Sequence, residues 1–255
     1  PTIELADDEQ KLLSSLGADS TQSALMAEAI ILTDEWDQVI GPGSKIAAHR
    51  GTGAYHRAFS VLLFDNQKRL LLQRRASDKV TFPDVWANSC CSHPLHCDEE
   101  MEEADAIGSK RAAVRKLEQE LGIHPGQVPL DSFHFITKMR YSSRMNETWT
   151  EREIDHILVI QADVDLDPNP NEISEIKWVS EEELEALLID EEQTEGVIAP
   201  WFRCIAARVM DETWWDAVGD ADALAELVDG KIHDMGDVSH LLPDAQGADL
   251  MTSLA

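Results

Sequence analysis

The sequence predicts an α/β (α+β) fold built on a mixed β-sheet. Short apolar runs with strand character interleave with segments whose apolar residues recur at helical spacing. No internal repeat or clear linker divides the core, and 255 residues suffice for one domain with a large buried core, or for two small ones.

Residues 1–27 read as a polar helical lead-in, and Ala29–Thr33 as a strand followed by a turn and return over Asp34–Gly43. Ala58–Phe64 is almost wholly apolar and predicts a buried strand, with Asp65–Lys68 as the turn and Leu70–Arg74 pairing back. The acidic run Asp98–Glu103 suits the positive end of a helix. Ala112, Ala113, Leu117 and Leu121 share one helical face, and Gly122 ends that helix. Phe133–Tyr141, Glu153–Ala162 and Ile173–Val179 read as strands, with a loop over Asp167–Asn171. Ser180 caps a helix opened by Glu181, Glu182 and Glu183. A further helix is expected over Pro200–Trp215, and residues 216–255 read as an acidic C-terminal extension.

The formal net charge is −28, unevenly spread. Residues 1–44 hold 1 basic and 9 acidic side chains, residues 45–162 hold 16 of each, and residues 163–255 hold 4 and 24. Such a field repels nucleic acid and anionic membranes, so neither is an expected partner. Its plainer meaning is a solubility or salt-adaptation surface. An anionic ligand would need a local cationic pocket or a metal. No apolar run approaches the roughly 20 residues that span a bilayer, and the acidic N-terminus lacks signal-peptide order. The four cysteines, two adjacent, form no disulfide framework and point to a reducing compartment. The expected location is cytoplasmic, or an organelle such as a plastid if a presequence has been removed.

Chemistry concentrates at Asn88-Ser89-Cys90-Cys91-Ser92-His93-Pro94-Leu95, where a thiol stands two residues from an imidazole. His49 and His56 lie upstream, Tyr141 and Glu151-Arg152-Glu153 downstream. His49, His56, His93, Glu151 and Glu153 offer nitrogen and oxygen ligands suited to Mg²⁺, Mn²⁺ or Zn²⁺. Taken singly, each histidine has a plainer reading as a core or surface residue. A rival reading takes Cys90, Cys91, His93, His96 and Cys97 as a structural zinc knot, although the second, separated ligand pair of such modules is missing. Cys91 with His93 also resembles a nucleophile pair, against the plainer reading of a small buried thiol. Arg74, Arg75 and Lys79 cluster at a strand end, where they would grip a phosphate or simply be solvated.

Arg115-Lys116-Leu117-Glu118-Gln119-Glu120-Leu121-Gly122-Ile123 resembles the Nudix helix, whose pattern ends R-E-U-x-E-E-x-G-U with U aliphatic. Lys116 and Gln119 stand where that pattern has Glu, and only Glu120 remains; the pattern's earlier Glu falls at Ile107 and its starting Gly at Met101. The carboxylate cage of a Nudix hydrolase is therefore absent from this helix.

Over roughly residues 28–215 the chain resembles the type 1 isopentenyl diphosphate isomerases, which have the Nudix-type α/β/α sandwich. The match runs through Lys45–His49, His56–Ser60, Leu71–Arg75, Thr81-Phe82-Pro83, Asn88–Leu95, Glu120-Leu121-Gly122, Tyr141, Glu151–Asp155 and Pro200-Trp201-Phe202. The resemblance implies isomerisation of isopentenyl to dimethylallyl diphosphate through a carbocation. It implies Cys91 and Glu153 as proton-transfer groups, Tyr141 beside the carboxylate and Trp201 against the cation. It also implies a divalent metal on His49, His56, His93, Glu151 and Glu153, and a Mg²⁺ arriving with the diphosphate at Glu120. Arg75, Lys79, Arg74 and Lys116 would bind the diphosphate. A monomer or weak homo-oligomer is expected, without flavin, because the flavin enzymes of this reaction are (β/α)₈ barrels. Two rivals are a Nudix diphosphohydrolase, weakened by the lost carboxylates, and a catalytically dead acidic binding protein, weakened by the joint presence of Cys91, His93, Tyr141 and Glu153.

Overall fold

A computed structural model describes residues 1–189, 197–210 and 212–242. Helices α1 (Asp7–Ser15) and α2 (Ser20–Met26) lead into strands β1 (Ala29–Thr33) and β2 (Val39–Ser44). Then follow α3 (Lys45–His49), β3 (His56–Phe64), β4 (Leu70–Arg75), β5 (Trp86–Ala87), β6 (Cys90–Ser92) and α4 (Ile107–Leu121). The second half holds β7 (His134–Arg144), β8 (Thr150–Gln161), β9 (Ile173–Val179), α5 (Glu181–Ile189), α6 (Pro200–Cys204), α7 (Glu212–Ala217), α8 (Ala221–Glu226) and β10 (Ile232–Asp237). The strands form one mixed sheet whose main path is β10-β7-β8-β3-β1-β2; β4 and β6 also pair with β3, and β4 carries β5 and β9.

The centre of the sheet is the parallel pair β3–β8, with His56 opposite Glu153 and Phe64 opposite Gln161. Every residue of β3 is buried, which is why Ala58–Phe64 is apolar on both faces except for Ser60 and does not alternate with polar residues. Alternate side chains still go to opposite faces. Phe59, Val61 and Leu63 pack with Ala112, Ala113, Leu117 and Leu121 of α4. Leu62 and Phe64 pack on the other face with Leu184, Leu187, Phe202 and Trp215. Helices thus cover both faces, giving the α/β/α sandwich. Each Leu or Phe so enclosed contributes roughly 1.5–3 kcal/mol.

Three expectations change. The acidic run Asp98–Glu103 does not open a helix; α4 begins only at Ile107, after Asp105 and Ala106 adopt φ of 51° and 50°. The run folds back over the helix start instead, so closely that a Cβ on Gly108 would lie 2.2 Å from the Glu100 carbonyl oxygen. Glu100 is drawn off by Arg115, whose Nε donates to it at 2.6 Å. The helix expected over Pro200–Trp215 is broken: after α6 the backbone widens into a π turn over Ile205–Val209, and Met210 is extended. The acidic extension is partly built into the domain. Leu224 and Val238 are buried in the main core, and β10 adds to the sheet parallel to β7, Ile232 opposite Lys138. The rest of that extension, residues 243–255, lies outside the described residues.

The lead-in also packs down. Leu13 and Met26 enclose Ile46 and Trp149, so α1 and α2 back the helix that carries His49. No helix among the described residues is long and apolar enough to cross a membrane.

Candidate active site

Four side chains from four segments meet beside the middle of the sheet. Ser44 caps α3, accepting from Ala47 N at 3.3 Å, and the helix delivers His49 at its last position. His56 opens β3, and the parallel register sets Glu153 of β8 against it. β6 pairs with β3, Ser60 opposite Cys91, and the chain emerging from it presents His93. The ligand atoms of His49, His56, His93 and Glu153 lie within 4.8 Å of one another, and all four residues are buried.

The hydrogen bonds fix which nitrogens face inward. His49 Nδ1 lies 2.7 Å from the Lys45 carbonyl and His56 Nδ1 lies 2.8 Å from that of Ala54. A carbonyl only accepts, so both Nδ1 atoms carry the proton and both Nε2 lone pairs point into the cluster. His93 Nε2 stands 2.9 Å from Glu153 Oε1 and 3.2 Å from His56 Nε2. Burial keeps His49 uncharged, well below 6.5, and pulls His93 down to about 3. For Glu153 burial works upward, but the His56 and His93 imidazoles beside it outweigh that and hold the carboxylate well below 4.5. His49 Nε2 has no hydrogen-bond partner among the described residues. Neutral imidazoles with converging lone pairs, one of them orphaned, beside an ionised carboxylate are a donor set that fits a divalent cation.

Glu151 lies two residues along the same strand face, beside these four converging groups and not among them. Tyr141 links the two carboxylates, its hydroxyl 2.6 Å from Glu153 Oε2 and 3.2 Å from Glu151 Oε2. Burial, reinforced by the Glu153 charge, raises Glu151 to about 8.

A narrow cleft opens over this cluster, and Cys91, Arg75, Lys79, Tyr141, Glu151, Glu153 and Trp201 are among its walls. Burial pushes the Cys91 thiol up to about 12, so it carries its proton at neutral pH, and Arg75 Nη1 stands 3.8 Å from the sulfur. Cys90 points to the opposite face, 3.7 Å from Glu120 Oε2. Two thiols divided in this way cannot share one zinc, which removes the structural knot.

The cationic end is made by Arg75, Lys79 and Lys45. Arg75 is fixed by the carbonyls of Phe82 and Thr81, each at 2.8 Å, and Lys79 is paired with Glu172. Burial, then Lys79 and Lys116, lowers Lys45 to about 8. Lys116 is buried against Glu120 at 2.9 Å. Burial works upward on Glu120, but Lys116, Lys79 and Arg75 hold it at about 2. Arg74 points elsewhere, 3.3 Å from the Asp84 carbonyl and 3.8 Å from Glu175. Sequence reasoning missed Lys45, Ser60 and Asp155. Lys45 had a signal, since it sits one helical turn before His49 on the same face. Ser60 Oγ donates to Asp155 Oδ2 at 2.7 Å, a link visible only once β3 and β8 are in register.

Comparison with known proteins agrees with this picture. Residues 54–202 match the family model of the NUDIX domain. The chain is 48% identical over 221 residues to the isopentenyl-diphosphate delta-isomerase of Aspergillus fumigatus, covering 81% of this chain and 78% of that protein. It is 45% identical over 202 residues to isopentenyl-diphosphate delta-isomerase 1 of Bos taurus, covering 78% and 88%. The fold is shared with DR0079 from Deinococcus radiodurans, at TM-score 0.51 and 17% identity, over 72% of this chain and 100% of that one.

Proposed function

The chain belongs to the isopentenyl-diphosphate delta-isomerases of the Nudix superfamily and isomerises isopentenyl diphosphate, and we propose that it does so by proton exchange at Cys91 and Glu153. The double bond moves when one carbon gains a proton and another loses one. An unactivated alkene is a poor base, so the tertiary cation must be sheltered while both transfers occur.

The observation that carries this reading is a thiol that holds its proton and a carboxylate that lacks one, facing the same cleft from strands on either side of β3. Cys91 gives its proton to the alkene, and Arg75 beside the sulfur stabilises the thiolate left behind. Glu153 takes the proton from the cation; a C–H next to a carbocation is so acidic that a weak base suffices. Tyr141 holds that carboxylate in place. The Trp201 ring faces the cleft and already accepts a cation, Arg75 Cζ, 5.7 Å from its centroid, so it is placed to stabilise a carbocation. Such a contact contributes about 2 kcal/mol when desolvated. Enclosure of the bound substrate in this narrow cleft would deny the cation water, which would quench it.

Arg75, Lys79 and Lys45 bind the diphosphate, with Lys116 adding positive field from beneath. A divalent ion (Mg²⁺, Mn²⁺ or Zn²⁺) held by His49, His56, His93 and Glu153, with Glu151 adjacent, would supply fixed positive charge that orients the carboxylate. Mg²⁺ accompanying the diphosphate would draw on Glu120. α4 lacks the hydrolytic carboxylates at Ile107, Lys116 and Gln119, so diphosphate should survive turnover.

The test is incubation of isopentenyl diphosphate with protein and Mg²⁺ in deuterated water, followed by NMR. Deuterium should enter the dimethylallyl product without accumulation of inorganic phosphate. Phosphate release at the turnover rate would reinstate the hydrolase.

A further inference from the structure

Asn88 is completely buried and belongs to none of the groups that touch substrate in the mechanism above. Its amide nitrogen donates to two carbonyls, Cys90 O at 2.9 Å and Val61 O at 3.2 Å. With both acceptors on that side, the amide has one satisfied orientation, and its oxygen must face the other way. There it accepts the indole N–H of Trp201 at 3.2 Å. One side chain therefore ties together β3, the strand residue preceding Cys91, and the ring at the head of α6. The ring is steadied from a second direction by Phe82, edge-on with centroids 5.4 Å apart.

We infer that Asn88 is a positioning residue for the isomerisation, acting through Trp201 by orienting the indole face toward the cationic carbon and enriching its π system. Both effects follow from the one hydrogen bond. It fixes the ring's rotation about its own plane. Donation from the indole N–H also shifts electron density into the ring, which makes its face a better partner for positive charge. The inference rests on the reading of Trp201 as the cation's partner, so the test separates the two.

Two non-reactive ligands are compared by calorimetry: an alkyl diphosphate with a tertiary ammonium at the position of the cationic carbon, and its neutral isosteric alkane. Wild type should prefer the ammonium ligand. No preference in wild type overturns the role of Trp201 and this inference with it. In Asn88→Leu the preference should fall by about tenfold, the loss of most of a desolvated cation–π contact. In a Trp201→Phe background, which has no N–H to anchor, Asn88→Leu should change the preference no further. A purely structural Asn88 would weaken both ligands equally and would act the same in the Phe background; either result overturns the inference. If Asn88→Leu does not fold, Asn88→Ala serves in its place with the same expected outcomes.

Discussion

Cys90 and Cys91 are chemically identical and adjacent, yet the pleat of β6 sends them to different worlds. Cys91 joins the cleft beside Arg75, whereas Cys90 enters the core under α4 near Glu120. Cys91→Ser should cost roughly 10²–10⁴-fold in kcat, since a hydroxyl is a far weaker acid than a thiol. Cys90→Ser should leave kcat nearly unchanged and lower thermal stability modestly, because a smaller hydroxyl, still able to donate to Glu120, replaces a thiol packed in the buried cluster under α4. Steady-state rates and melting curves of the two variants decide the matter, and equal loss of rate in both would refute the division of roles. Glu120 gives a second contrast. Glu120→Gln should weaken the Mg²⁺ binding that depends on a diphosphate analogue and leave metal binding by the free protein intact, as read by calorimetric titration with and without that analogue. Loss of the free-protein site in Glu120→Gln would mean the ligands are wrongly divided. The thiol and the histidines were legible in the sequence because Cys and His are scarce, and the carboxylates because of their distinctive order among the other motifs. Asn88 and Asp155 were not, because an amide or a carboxyl acquires meaning only from what the strand register sets beside it.

At the scale of elements, the β1–β2 turn is held to the sheet by one carboxylate. Asp37 adopts a left-handed φ of 67° and accepts from Arg57 Nε at 2.8 Å, His156 Nε2 at 2.7 Å and Lys138 Nζ at 2.5 Å. His156 in turn meets Ser109 of α4, Nδ1 to Oγ at 2.9 Å. The network joins the turn, β3, β7, β8 and α4, and it lies on the side of β8 opposite to the carboxylates of the site. Asp37→Asn leaves buried Arg57 with only the exposed Glu103 carboxylate, 3.3 Å away, as counter-charge and should destabilise by about 3 kcal/mol, measured by denaturant unfolding with metal present in both proteins. The pH dependence has a definite sign. Burial works upward on Asp37, but His156, Arg57 and Lys138 outweigh it and hold the carboxyl far below its ordinary 3.8. Its contribution is full above pH 3.8 and is lost as the pH falls through the depressed folded value. His156 is pulled below 6.5 by burial, so it too disfavours the folded state as acid charges it. Acid should therefore destabilise wild type, and below about pH 4 the difference between wild type and Asp37→Asn should narrow. A gap that stays constant down to pH 2.5 would show that the carboxylate charge is not what matters. Strand positions were readable from apolar runs, but this network was not. Likewise β10 mixes half-buried and exposed residues without alternation and carries no apolar run, so only its docking against β7 reveals it as a strand.

For the whole molecule, a net charge of −28 means that folding gathers like charges. The central segment is balanced, and the excess lies in the terminal segments, so the self-repulsion is a surface effect that salt can screen. Raising the ionic strength from about 0.05 M to 1 M should raise the melting temperature, as the screening length falls to roughly 3 Å. A flat or falling curve would mean that surface ion pairs such as Arg50–Asp8 outweigh the repulsion. The pairing of β3 with β8 has a kinetic consequence. His56 and Glu153 stand opposite each other although nearly a hundred residues separate them in the chain. Loop closure of that length is a late event in folding, because its entropy must be lost before any contact repays it. The nascent chain can hold His49 and His56 near one another, but the carboxylate joins them only when the two halves of the domain have met. Divalent metal should therefore slow unfolding far more than it speeds refolding, acting as a latch on a finished sheet and not as a seed for it.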